Sequence, residues 1–113
     1  MRATALVVSC ALVGLASMCS CHAPGPPKRP TGVPLDAAWA GGSKGGCWIH
    51  CELDVAKQAN KCVIYDDYLG EIWHSGFFVL ETTREPVRGE TLRYDFFNGE
   101  TIGLADGRRM VQS

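Results

Sequence analysis

Beyond its first twenty-one residues, the chain has no apolar run long enough to cross ~30 Å of hydrocarbon, which takes roughly 20 residues. No segment shows the apolar stripe and caps of a helix, which argues against helical and mixed α/β folds. A redox Cys-x-x-Cys pair is missing, and so is the Cys-x-x-Cys-His of haem attachment. No serine stands in a nucleophile elbow; Ser75-Gly76 lies inside a strand pattern. Basic charge is also scarce. Residues 46–113 carry seven Lys or Arg against eleven Asp or Glu, a formal charge of −4, which argues against a nucleic-acid surface.

The most informative segment is at the start. Arg2 precedes an uncharged, mostly apolar run from Ala3 to Met18, followed by Cys19-Ser20-Cys21. A positive tip, a short apolar core and a small residue before the cut define a secretory signal peptide, expected over residues 1–20. With Ser20 as the small residue and Cys21 after it, the segment resembles the signal of a bacterial lipoprotein. Met18 and Cys19 depart from that class, which more often has Leu and a small residue there. The resemblance covers residues 1–21 only. It implies that Cys21 is the lipidated mature N-terminus, carrying three acyl chains. At ~0.8 kcal/mol per buried CH₂, several chains hold a protein firmly where one binds marginally. The implied location is the cell envelope, on a membrane, outside the cytoplasm. The alternatives are a secreted protein cut near Cys19 or Ala23, and an uncleaved anchor, for which about sixteen apolar residues are short.

Residues 21–46 read as a tether. All prolines except Pro86 fall between His22 and Pro34, which favours a stiff polyproline II spacer. Lys28 and Arg29 keep it soluble or face anionic headgroups. Leu35 to Trp39 has room for one helical turn. Gly41-Gly42-Ser43-Lys44-Gly45-Gly46 has flexible-linker composition. Lys44 stands before the last glycines, so this is not a phosphate-binding P-loop.

Residues 47–113 are expected to fold as a small, mainly β domain: about six strands in an antiparallel meander, forming a curved sheet or partly closed barrel. The strands read as Cys47–Leu53, Lys61–Tyr65, Glu71–Glu81, Thr91–Phe97, Glu100–Ala105 and Arg108–Val111. Gly76 within the third suggests a bulge or bend. Asn98-Gly99 and Asp106-Gly107 suggest two-residue type I′ hairpins.

So small a domain needs a staple. Cys51 and Cys62 flank the Val55–Asn60 connection symmetrically, so a hairpin would set them opposite one another as a disulfide. Cys47–Cys62 is the alternative. The spacing argues against Cys47–Cys51, because residues four apart on a straight strand lie about 13 Å apart. Cys47, His50, Cys51, Cys62 and His74 have metal-binding atoms but lack paired-knuckle spacing, so no metal or other cofactor is expected.

The Asp66-Asp67 pair reads as a turn former. Trp73, Trp48 and Tyr68 are the candidates for an exposed recognition patch, with Trp73 partly exposed. The expectation is a non-catalytic, lipid-anchored envelope protein that binds a protein or envelope component and no nucleic acid. A small inhibitor of an envelope or foreign hydrolase, acting through a loop at Pro86, is one alternative. A small enzyme using His74 with Asp66 or Asp67 is the other.

Overall fold

A computed structural model describes residues 26–113. The expected signal segment with Cys10 and Cys19, and the lipidation candidate Cys21, lie outside the described residues. Seven strands make up the described part: β1 (Ala38–Gly42), β2 (Gly45–Asp54), β3 (Ala59–Asp66), β4 (Ile72–Leu80), β5 (Tyr94–Phe97), β6 (Thr101–Leu104) and β7 (Arg109–Gln112). They form one antiparallel sheet in the order β1-β2-β3-β4-β7-β6-β5. The sheet curls until β5 at one edge meets β1 and β2 at the other. This is the mainly β, strongly curved architecture that the alternation predicts.

The alternation works because one face turns inward. Ile49 pairs with Ile64 and Cys51 with Cys62 across β2 and β3. These side chains join Phe78, Phe97, Ile102, Leu104 and Met110 in the interior. Cys51 and Cys62 are bridged, with Cα atoms 4.1 Å apart, so the disulfide ties β2 to β3 against the core. Cys47 is the leftover thiol. It lies opposite Asp66 and is buried, which removes the Cys47–Cys62 alternative.

The sheet begins earlier than the composition suggests. The glycine run is a hairpin, with Gly41 opposite Gly46, Gly42 opposite Gly45, and Ser43-Lys44 at its tip. Its register is held by residues outside the run. Ala38 and Ala40 sit opposite Ile49 and Cys47, and Trp39 sits opposite Trp48 with ring centroids 5.3 Å apart. Such cross-strand aromatic pairs contribute about 0.2–1 kcal/mol each. The expected helical turn at Leu35 is instead part of two consecutive turns, closed by Val33 N–H to the Pro30 carbonyl and Ala37 N–H to the Pro34 carbonyl. They press Val33 and Ala37 onto the outer face of Trp48.

The C-terminal meander is present, but with different turns. Type I′ geometry requires positive φ at both central residues. Here only Gly99 (φ 100°) and Gly107 (φ 95°) take it. Asn98 instead accepts the N–H groups of Glu100 and Thr101 on its side-chain oxygen, and Asp106 accepts that of Arg108. Both connections are therefore wider than two residues.

The 81–93 connection carries the chain from β4 past two strand positions to the far edge. It is fixed by one buried side chain. Asn60 Nδ2 donates to the Val87 carbonyl at 3.0 Å, and Asn60 Oδ1 accepts the Val87 N–H at 2.8 Å. This pairing satisfies a buried amide and a buried peptide together, where either alone would cost about 1–3 kcal/mol. Acidic residues of the connection pair with arginines of the C-terminal strand region: Glu90 meets Arg108 at 2.7 Å and Glu81 meets Arg109 at 3.5 Å.

Candidate functional site

The site begins with a single carboxylate at the end of β3. Asp66 Oδ1 accepts the N–H groups of Tyr68 (2.9 Å), Leu69 (2.7 Å) and Gly70 (3.1 Å). Its Oδ2 accepts the N–H of Glu71 at 2.9 Å, and its own N–H donates to the Glu71 carbonyl at 2.9 Å. One side chain thereby engages the four consecutive amides from Tyr68 to Glu71. These donors, Leu69 first and Tyr68 next, hold the carboxyl below the usual aspartate range. Asp67 then links the turn sideways, accepting the Gly46 N–H from β2 at 3.1 Å.

The turn's N–H groups from Tyr68 to Glu71 are all held, yet the side chains point to solvent. Tyr68 is 84 % exposed, Leu69 61 %, Ile72 63 % and Trp73 55 %. Four large apolar side chains within six residues are thus exposed together at one end of the sheet. Such patches on a soluble surface mark interaction sites. Gly70 provides the turn's contact with the rest of the molecule. It has φ 76°, and a Cβ there would lie 2.7 Å from Pro30 and 3.1 Å from Val33. The N-terminal segment therefore lies directly against this turn.

Trp73 owes its position to a β-bulge. Ile64 pairs with His74 and Tyr65 with Ile72, which leaves Trp73 as the extra residue. Strict alternation sends Trp73 and His74 to opposite faces. The bulge brings both against Phe97, with centroids at 5.1 Å and 5.3 Å. Trp73 stands edge-on to Phe97, anchored at one side of its indole and exposed at the other.

Of the three expected patch residues, the structure brings Tyr68 and Trp73 to one turn and withdraws Trp48. Trp48 is 4 % exposed, enclosed by Val33, Ala37, Trp39 and Tyr65, with Arg29 stacked 5.8 Å from its ring centre. The period-two pattern placed Trp48 on the outer face correctly, but the N-terminal segment covers it. Leu69 and Ile72 were not singled out, although their place beside Tyr68 in a turn sequence was the available signal.

Each residue considered for catalysis has another hydrogen-bond partner. His74 Nε2 accepts from the Gln112 amide at 2.8 Å, while the Asp66 carboxylate is occupied by the turn. The connection at Pro86 turns inward at Val87, which is buried. A different polar cluster lies at the seam of the sheet. His50 meets Asp36 through Nδ1 at 3.1 Å and Glu52 through Nε2 at 3.0 Å. Asp36 and His50 line a cavity of about 300 Å³ with Glu90 and Tyr94. Burial, then the charge of Asp36, pushes the Tyr94 hydroxyl up to about 12, so it stays a neutral hydrogen-bonding group. No sequence signal joined these residues, which come from four separate segments. Among the described residues, no group of three or more His, Cys, Asp or Glu side chains is placed to hold a metal ion.

No protein-family model matches the chain, and neither the curated proteins nor the solved structures contain a significant match.

Proposed function

We propose that this chain is an exported, lipid-anchored, non-catalytic envelope protein that binds an envelope component through the Tyr68–Trp73 turn. The observation that carries the reading is the pairing of a hydrogen-bonded turn with outward apolar side chains. A turn held by five hydrogen bonds around Asp66 loses little conformational freedom on binding, which is the main advantage of a preorganised site. Tyr and Trp suit such a site, since each joins an apolar body to a polar tip. The anchor rests on the Ser20-Cys21 order and its resemblance to lipoprotein signals.

Two measurements on the full chain, expressed in a bacterial host, test this. The wild type should fractionate with membranes and yield an acylated N-terminal Cys21 peptide. Cys21→Ser should be released or remain unprocessed. A soluble wild type with its N-terminus elsewhere would defeat the anchor. A photo-crosslinker at Tyr68 should give a discrete envelope adduct, and one at Thr82, at the other end of β4, should not. Equal labelling from both positions would remove the turn as the site.

A further inference from the structure

The anchored reading can be taken further, because the structure shortens the tether and shows where it leaves the domain. Residues 38–46 are strand and hairpin, and Pro30 and Val33 pack on Gly70 of the apolar turn. Pro27 lines a hollow with Trp39, Lys44, Gly45 and Asp67, beside the same turn. Only residues 21–25 of the expected tether lie outside the described residues. Six peptide units separate Pro27 from Cys21. At no more than about 3.6 Å per residue, the lipid-bearing cysteine lies within roughly 20 Å of Pro27.

That distance is shorter than the bilayer's hydrocarbon core is thick. A lipid inserted at Cys21 therefore keeps this end of the sheet at the membrane. The side chains presented there are Tyr68, Leu69, Ile72 and Trp73. Tyr and Trp concentrate at headgroup depth in membrane proteins, and Leu and Ile gain from reaching the acyl boundary.

We propose that the occupant of this patch is the bilayer itself: the Tyr68–Trp73 turn docks into the interfacial layer of the membrane that holds the Cys21 lipid. This rests on the lipid-anchor reading above and adds a second contact to it. The short tether makes the docking intramolecular, so even weak affinity is sufficient at the resulting effective concentration. Burial of apolar surface drives it, not charge. Lys28, Arg29 and Lys44 at this end are opposed by Asp67 and Glu71, and so a neutral bilayer suffices. Docking directs β4 away from the membrane, with the 81–93 connection outermost and the seam cavity accessible from the side.

The test uses the full acylated chain in neutral phosphatidylcholine vesicles containing brominated lipid. Tryptophan emission should be quenched by the bromines, and the quenching should fall markedly in Trp73→Phe, whose remainder comes from half-buried Trp39, Trp48 being enclosed. Leu69→Asp, at an exposed position, keeps Trp73 but should weaken the quenching several-fold. Both variants should keep the wild-type melting transition within a few degrees. The mass of the N-terminal peptide reports the anchor separately. An acylated Cys21 without quenching of Trp73 overturns the docking and leaves the anchor standing. An unacylated N-terminus overturns both. Strong iodide quenching of Trp73 on vesicles, equal to that in detergent-free solution of the Cys21→Ser chain, also overturns docking and leaves the patch to a protein partner.

Discussion

Two loops at opposite ends of β4 solve the same problem in opposite ways. The 81–93 connection is polar in sequence, yet it sends Val87 into the core and is secured by a buried side chain reaching across from β3. The 67–71 turn carries large apolar side chains, yet it keeps Tyr68 and Leu69 in solvent and is secured by the carboxylate of Asp66, the residue just before it. Backbone order is therefore separable from side-chain burial. One loop is ordered because it contributes to the core; the other is ordered without contributing, which leaves its apolar groups available.

Breaking the disulfide should have the largest effect and should not distinguish the loops. Replacing Cys51 and Cys62 with Ala removes a link across a sequence separation of 11 residues and should lower stability by roughly 3 kcal/mol, read from urea unfolding. Asn60→Ala should come next and should separate them. It strands the Val87 N–H and carbonyl in the interior, costing about 2 kcal/mol. Hydrogen exchange should quicken in residues 81–93 and stay unchanged at 68–71.

Asp66→Asn should do the reverse, loosening the turn and sparing the connection. An amide oxygen retains one acceptor position and loses the Oδ2 bond to Glu71. The pH dependence has a definite sign. The folded carboxyl is held below its unfolded value, which lies near ~3.9. Its stabilisation is complete above that value and is lost as pH falls through the folded one. Acid titration should thus quicken exchange at 68–71 in the wild type, and the variant should lack that component. Trp73→Ala should be the mildest for the fold. It removes one edge-on contact with Phe97, at most about 1 kcal/mol, while abolishing attachment through the patch.

The pattern of Cys47 to Leu53, and the symmetry of Cys51 and Cys62 about their connection, made the fold class and the disulfide readable. Local signals sufficed there because adjacent antiparallel strands place residues near in sequence opposite one another. The misreadings share a cause. β1 was hidden because Gly41–Gly46 has linker composition, and only the Trp39–Trp48 pairing reveals its register. The shielding of Trp48 depends on Val33 and Ala37 arriving from another segment. The bulge at Trp73 leaves no mark of its own, since Gly76 drew attention to the wrong residue. The Asn60–Val87 pairing and the cluster of Asp36, His50 and Tyr94 join distant positions, which a single chain read linearly does not connect. For the site, Tyr68 and Trp73 were legible as candidates, but the role of Asp66 in holding the four amides from Tyr68 to Glu71 was legible only as a turn preference.

The unpaired Cys47 has a consequence for the durability of the disulfide. Scrambling requires a thiolate to attack a disulfide sulfur in line. Burial, then the neighbouring charge of Asp67, pushes the Cys47 thiol up to about 11. At neutral pH the reactive anion is therefore about one part in ten thousand of the population. Cys47 also stands four residues along β2 from Cys51, about 13 Å by strand rise. An odd cysteine in an oxidising compartment ordinarily threatens its neighbours with exchange. Here the strand's rigidity and the thiol's suppressed ionisation act as a kinetic lock, so the Cys51–Cys62 link, once formed, should outlast the conditions that formed it.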